Sequence, residues 1–347
     1  MGNLRQPVYL EEKLEQVRES GRLNLRSKAL PTWCPGCGYF SIVDGVTMAI
    51  NQLQINQKDV TVVSGIGCAS RFPFFLETYG FHTLHGRTLP VATGIKVAND
   101  NLTVLAIGGD GDAFAIGGAH IPHAARRNVD ITYMVFDNGI YGLTKGQTSP
   151  TSVLGFTTST SPYQNQDRPL NPLLMMLSYD ASWIGQSYAG DPRHLSEMIT
   201  QAIAHRGFSY LHILSPCVTF DKTSKTYSNL KAQTRHLPDD HDSSDKMAAI
   251  GYAMDVATPP IGLFYKEARP TLSDNLDLIV DKARGRTARA SGYCEGSLRP
   301  QAEGQSPHPK PLPLGEGGNG TAVPIPMTLF RSLEQDPGAF QGPTAGR

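Results

Sequence analysis

One stretch of this chain narrows the possible folds more than any other. Residues 103–107, TVLAI, form an apolar, β-branched run that stops at Gly108-Gly109-Asp110-Gly111-Asp112. A small-residue segment with helical character follows, and a second apolar run, residues 131–136, ends at Asp137-Asn138-Gly139. Strand, glycine turn with a carboxylate, helix, strand, carboxamide is the order of a parallel crossover unit. Both polar ends then fall at the carboxyl edge of the sheet, where open α/β sheets bind their ligands. Glycines there let the backbone approach a phosphate, and a helix start offers free N–H donors.

Asp110 and Asn138 are the pair that this placement singles out. A carboxylate, a carboxamide and diphosphate oxygens are all hard oxygen ligands, the set that Mg²⁺ prefers. For a lone GDG the competing reading is a helix-capping Asp110 and a turn-forming Asn138. The longer string is more specific. GDGDAFAIGG followed by DNGIYGLTKGQTSPT resembles the thiamine-diphosphate motif of the 2-oxoacid:ferredoxin oxidoreductases, specifically of their β subunits. The resemblance runs through several separate motifs between residues 20 and 270. It implies the thiamine-diphosphate-binding fold, an α/β architecture with a mostly parallel sheet and helices on both faces.

The flanking residues suit such a sheet. Ile42, Val46, Ala49, Ile50 and Leu53 have helix spacing, residues 60–64 form a short buried strand, and strands at 181–184 and 210–214 bracket a helix at 193–206. A chain of 347 residues can hold one large α/β domain plus appendages. The expected division is a Glu/Arg-rich arm at residues 1–28, with a weak helical period from Glu11 to Glu19, and a cofactor-binding domain at 29–220. An extension at 221–289 would then pack on the core or on a partner subunit, with a low-complexity, disordered tail at 290–347. The Gly/Thr/Ser/Pro-rich residues 138–172 read as a long functional loop. The tail contains SPHPKPLPLGEGGNG, lacks a periodic apolar pattern, and resembles translated interspersed repeat DNA, as a read-through or frameshift would produce. With 31 basic and 31 acidic residues the net charge is zero, which argues against a nucleic-acid partner. No apolar run approaches the roughly 20 residues of a membrane span, and no signal peptide opens the chain, so a cytoplasmic protein without a membrane partner is expected.

Five cysteines in a chain without an export signal point to metal or redox chemistry rather than disulfides. Cys34 and Cys37 stand in WCPGCGY, a CxxC loop that by itself suits zinc, a redox dithiol or half of a cluster site. Cys68, in GIGCAS, and Cys217, in SPC, each follow an expected strand and so lie at the edge that carries Asp110 and Asn138. Four thiolates beside a diphosphate site suggest a [4Fe–4S] cluster. The resemblance agrees, since WCPGCGY, GIGCAS and SPC match the family's cluster-binding cysteines. Cys294 falls in the tail and needs no role.

The resemblance implies further detail. Asp110, Asn138 and the carbonyl of Ile140 would hold Mg²⁺, and Ile66, Gly67, Cys68, Ala69, His85, Gly111, Gly142 and Leu143 would line thiamine diphosphate. His85, in HGR, is the candidate catalytic side chain; the competing reading is a loop hydrogen-bonder. His120 and His123 read as helix packing. Arg71 and Lys145, with Leu143 shaping the pocket, are candidates for a second substrate carboxylate, although each could be an ordinary surface cation. YGLTKGQTSPT favours 2-oxoglutarate or a broad 2-oxoacid range over pyruvate alone. The implied activity is oxidative decarboxylation of a 2-oxoacid with coenzyme A, electrons leaving singly through the cluster for ferredoxin. No glutamate stands on a plausible cofactor-activating motif, and Glu77 reads as structural. In the family that glutamate comes from the α subunit, so the chain would be half of an active site in a heterodimer or larger assembly. Competing classes are a non-redox thiamine decarboxylase, which would have no use for four cysteines, and a non-catalytic metal-binding subunit. The indolepyruvate type usually carries its cluster cysteines elsewhere.

Overall fold

The computed structural model describes residues 24–284. The expected helical period from Glu11 to Glu19, the tail beyond residue 290 and Cys294 lie outside the described residues. In chain order the elements are α1 (Tyr39–Gln52), β1 (Val60–Ser64), β2 (Tyr79–His82), α2 (Thr88–Ala98), β3 (Thr103–Gly109), α3 (Asp110–Phe114), α4 (Ile121–Arg126) and β4 (Ile131–Asp137). Two short strands follow, β5 (Ile140–Tyr141) and β6 (Gln147–Thr148), then α5 (Pro172–Ser178), β7 (Trp183–Tyr188), α6 (Pro192–Ala204) and β8 (Phe208–Leu214). The described chain ends with α7 (Tyr227–Gln233), β9 (Arg235–His236), α8 (Lys246–Ala253), β10 (Pro260–Lys266) and α9 (Leu272–Ala283).

Eight strands form one sheet in the order β2-β1-β3-β4-β8-β7-β10-β9. From β2 to β7 every pairing is parallel; β10 meets β7 antiparallel and two-residue β9 is parallel to β10. Alternation along the strands divides the core between the two faces. Leu105, Ile107, Met134 and Phe136 pack with Ile42, Val46 and Ile50 of α1 and with Leu195 and Ile199 of α6. Val104, Ala106, Tyr133 and Val135 pack with Leu89 of α2, Ile121 of α4, and Met176 of α5 on the other face. The chain runs outward from β1 to β2 and then returns to lay β3 on the other side of β1. That reversal is a topological switch point, and it opens a crevice beyond the carboxyl ends of β1 and β3.

Three local features differ from the reading of the sequence. The helical segment after GDGD is broken: α3 lasts five residues and Ala115 leaves it at ψ −105°. A Cβ on Gly86 would stand 2.6 Å from the nitrogen of Gly117, and one on Gly117 2.4 Å from the carbonyl of Asp112. The break is what lets those two backbones touch. Strand β2 escapes the alternation rule because all four of its residues are exposed at the sheet edge. Strand β7 extends beyond residue 184 to Tyr188. Its polar stretch is buried because Gln186 donates to the Pro260 carbonyl (2.7 Å) and Ser187 meets His194 Nδ1 (2.9 Å).

Candidate active site

A cavity of about 280 Å³ lies at the switch point, walled by the loops after β1, β3 and β4. Ile66, Gly67, Cys68, Ala69, His85, Asp110, Gly111, Asn138, Ile140, Gly142 and Leu143 all line it. Gly67 has φ +126° with open space where a Cβ would stand, so backbone faces the cavity there. At Gly111 a Cβ would run into the ring of Tyr141 at 2.2 Å, and Tyr141 Oη donates to the Gly111 carbonyl at 3.2 Å. Glycine is required for that close approach.

Asp110 is buried at the end of β3, where its Oδ1 accepts from the backbone N–H of Asn138 (3.3 Å) and its Oδ2 from Thr151 Oγ1 (3.1 Å). Burial and the neighbouring Asp137 carboxylate push its pKa up to about 7, against the opposing pull of Lys225. Although burial also acts on Asp137, the Lys225 ammonium at 2.5 Å and His212 Nε2 at 3.0 Å hold it well below the usual carboxylate range. Gln186 Nε2 donates to a carbonyl, so its Oε1 must accept from His212 Nδ1 (2.6 Å). A buried polar chain therefore crosses the sheet from β10 to the Asp110 loop. Asn138 is pinned as well: its Oδ1 accepts from the Ile140 N–H (3.1 Å) and its Nδ2 donates to Tyr39 Oη (3.0 Å).

The second aspartate of GDGD has a different task. Asp112 is buried, and its Oδ1 accepts from the backbone N–H groups of Ile66 (2.9 Å) and Gly86 (2.8 Å) and from His85 Nδ1 (2.8 Å). It ties the loop after β1 to the loop before α2. With Nδ1 donating to the carboxylate, His85 keeps Nε2 for other partners. His120 and His123 line neither cavity described here.

A neighbouring cavity of about 210 Å³ is lined by Cys34, Cys37, Cys68 and Cys217, together with Arg71 and Lys145. Burial, then mutual repulsion with the other thiols, pushes Cys37 up to about 12 and Cys68 up to about 11; the Tyr39 N–H opposes this at Cys37. Gly142 sits between two of them, for a Cβ there would stand 3.6 Å from Cys68 Sγ and 3.8 Å from Cys217 Sγ. Trp33 closes the back, donating Nε1–H to the Cys68 carbonyl (2.8 Å) and stacking edge-on against Phe75 with ring centroids 4.8 Å apart. Arg71 donates to Thr32 Oγ1 (2.7 Å), and Lys145 adopts φ +77°, a conformation that non-glycine residues rarely take. Tyr39, Cys68, Asn138, Gly142 and Leu143 line both cavities, so the two share a wall.

Residues 65–213 match the family model described as thiamine pyrophosphate enzyme, C-terminal TPP binding domain, and residues 217–281 match the model for the C-terminal region of the pyruvate ferredoxin oxidoreductase beta subunit. A 2-oxoacid:ferredoxin oxidoreductase subunit beta from Saccharolobus solfataricus is 42% identical over 249 residues, covering 67% of this chain and 81% of its own. The chain belongs to the β subunits of the 2-oxoacid:ferredoxin oxidoreductases. A Mycobacterium tuberculosis protein named 2-oxoglutarate oxidoreductase subunit KorB is 44% identical over 192 residues, which are 55% of this chain but only 52% of that one. A solved structure of 2-oxoglutarate:ferredoxin oxidoreductase from Magnetococcus marinus, with 2-oxoglutarate, coenzyme A and succinyl-CoA bound, superposes with a TM-score of 0.73 at 46% identity. It covers 78% of this chain and 91% of that one.

The donor chemistry of this β subunit fits the groups its family uses. Burial and Asp137 raise the Asp110 carboxyl, and burial raises the Cys37 and Cys68 thiols; a bound cation would favour the deprotonated form of each, because a metal deprotonates a coordinating thiol outright. Among the described residues no three His, Cys, Asp or Glu side chains converge on one metal point; the thiols stand around a cavity. Reading the sequence missed Asp112, Asp137, His212, Lys225, Thr151 and Tyr39. The only local signal for Asp112 and Tyr39 is their place inside GDGD and WCPGCGY. His212 and Lys225 carried no local signal, because strand pairing brings them to Asp137. Among the described residues no glutamate lines either cavity, and Glu77 is an exposed residue whose N–H donates to the Leu25 carbonyl (2.8 Å). Among the described residues no helix is long and apolar enough to cross a membrane.

Proposed function

We propose that this β chain holds thiamine diphosphate, Mg²⁺ and a [4Fe–4S] cluster in a ferredoxin-dependent 2-oxoacid oxidoreductase, with 2-oxoglutarate the favoured substrate. The products would be CO₂ and the acyl-CoA. Bound thiamine diphosphate supplies the electron sink for decarboxylation, and the cluster supplies a one-electron exit. Asp110, Asn138 and the Ile140 carbonyl would hold the Mg²⁺ that neutralises the diphosphate. Asp112 keeps His85 Nδ1 engaged and presents Nε2 to the cavity as a proton donor or acceptor. Arg71 and Lys145 supply positive charge for a second substrate carboxylate, with Leu143 between the two cavities. An α subunit would supply the activating glutamate, and coenzyme A and ferredoxin would be the other partners. The substrate preference is supported by the bound 2-oxoglutarate of the Magnetococcus marinus relative.

The shared wall carries this reading. A cavity of hard oxygen donors and a cavity of four thiols, with Cys68 lining both, is the arrangement needed to move single electrons from a cofactor to a cluster. A non-redox thiamine decarboxylase would need only the first. Asp110→Ala tests the reading: it should abolish thiamine-diphosphate and Mg²⁺ binding while leaving the iron content of anaerobically purified protein intact. Retention of cofactor binding by the variant would overturn it.

A further inference from the structure

Tyr39, the last residue of WCPGCGY, stands between the two cavities at the first turn of α1. It is fully enclosed, 1% exposed, and it lines both. Packing accounts for its ring, which lies 5.3 Å from that of Phe136 and 5.8 Å from that of Trp33. Packing does not account for its hydroxyl. A buried hydroxyl needs partners, and this one has the Asn138 Nδ2–H as donor at 3.0 Å and the Phe136 carbonyl as a longer acceptor at 3.5 Å. The residue also stands two positions after Cys37 and lines the thiol cavity with it.

The consequence for Asn138 is geometric. Its amide can present either oxygen or nitrogen to the cavity, and only oxygen can hold a hard cation. Two bonds fix the choice: Nδ2 donates to Tyr39 and Oδ1 accepts from Ile140 N–H, leaving the second lone pair of Oδ1 for another partner. The Ile140 bond alone would leave Nδ2 without an acceptor in a buried wall. We infer that Tyr39 is a positioning residue that orients the Asn138 carboxamide for the divalent cation. This rests on the functional reading above, and goes beyond it by assigning a role to a buried hydroxyl whose hydrogen bonds go to Asn138 and Phe136.

Tyr39→Phe removes the hydroxyl and keeps the ring. The test uses the full chain, purified anaerobically in its native assembly, and titrates Mn²⁺ by electron paramagnetic resonance in the presence of thiamine diphosphate. Removing a partner that orients a metal ligand weakens metal binding by about tenfold or more, and that loss is expected, with iron content and melting temperature matching the parent. Asn138→Ala and the double variant Tyr39→Phe/Asn138→Ala should then bind Mn²⁺ equally, because the hydroxyl acts only through the carboxamide. Equal affinity of Tyr39→Phe and the parent would overturn the inference. So would a further tenfold loss in the double variant, or loss of iron together with Mn²⁺, which would mark a general packing role. Failure of the parent to bind Mn²⁺ with thiamine diphosphate would overturn the functional reading as well, which separates the two failures.

Discussion

At the scale of single residues, Asp112 holds two loops of the site together. One carboxylate oxygen serves three donors on two loops, and truncation would strand the buried N–H groups. Asp112→Ala is expected to cost about 2 kcal/mol, a drop of roughly 4–8 °C in melting temperature for a domain of this size. It should also lower turnover through the released His85. An unchanged melting curve would refute this. His205 gives a pH-dependent case away from the site. Its Nε2 meets Ser182 Oγ (2.8 Å), whose own proton goes to Asn128 Oδ1 (2.6 Å), so the ring nitrogen is the donor of that pair. Burial, then the Lys266 ammonium, pushes it down to about 4 from an ordinary 6.5. The folded pKa lies below the unfolded one, so the unfolded chain binds the extra proton between those values. The contribution is fully present above pH 6.5 and is lost as pH falls towards 4. It amounts to roughly 2 kcal/mol after discounting for partial exposure. His205→Gln keeps a donor for Ser182 and should flatten that acid limb in urea-unfolding free energies measured across the range; a superimposable profile would rule the account out.

At the scale of elements, the loops after β1, β3, β4 and β8 make the site, and the strands only aim them. Gly142, in the loop after β4, separates the thiol readings. A methyl there would make ordinary contact with Cys68 and Cys217 thiols, at 3.6 and 3.8 Å, yet it would project between two of the thiols proposed to hold a cluster. Gly142→Ala should therefore leave the metal-free chain as stable as the parent and reduce bound iron severalfold; full iron content would argue against a cluster at this cavity. Much at this scale is legible in the residues. The run before Asp110 and the run before Asn138 are β3 and β4, because apolar β-branched residues stopped by glycine act locally. The Ile42–Ile50 period is α1 for the same kind of reason. Strand β2 and the break after α3 were not legible. An exposed edge strand has no buried face to alternate, and the Gly86–Gly117 contact joins residues that no local pattern relates.

At the scale of the whole molecule, the described chain provides metal donors, thiols and cations but no glutamate against either cavity. If it is one side of a shared site, the purified chain alone should retain iron and show no 2-oxoacid-dependent reduction of a one-electron acceptor. Adding the α subunit should start it, and turnover by the chain alone would defeat the half-site reading. The sequence by itself determined that Asp110 and Asn138 end neighbouring strands of a parallel sheet, since strand, glycine and helix signals lie within one continuous stretch. Placement after expected strands already put Cys68 and Cys217 at one sheet edge, whereas tertiary structure alone decided that His212 and Lys225 balance Asp137 and that Tyr39 reaches Asn138. These groups come together because β8 pairs beside β4 and α1 packs across both. Strand order follows from burying both faces of the sheet at once, a requirement that the whole chain satisfies and no single stretch records.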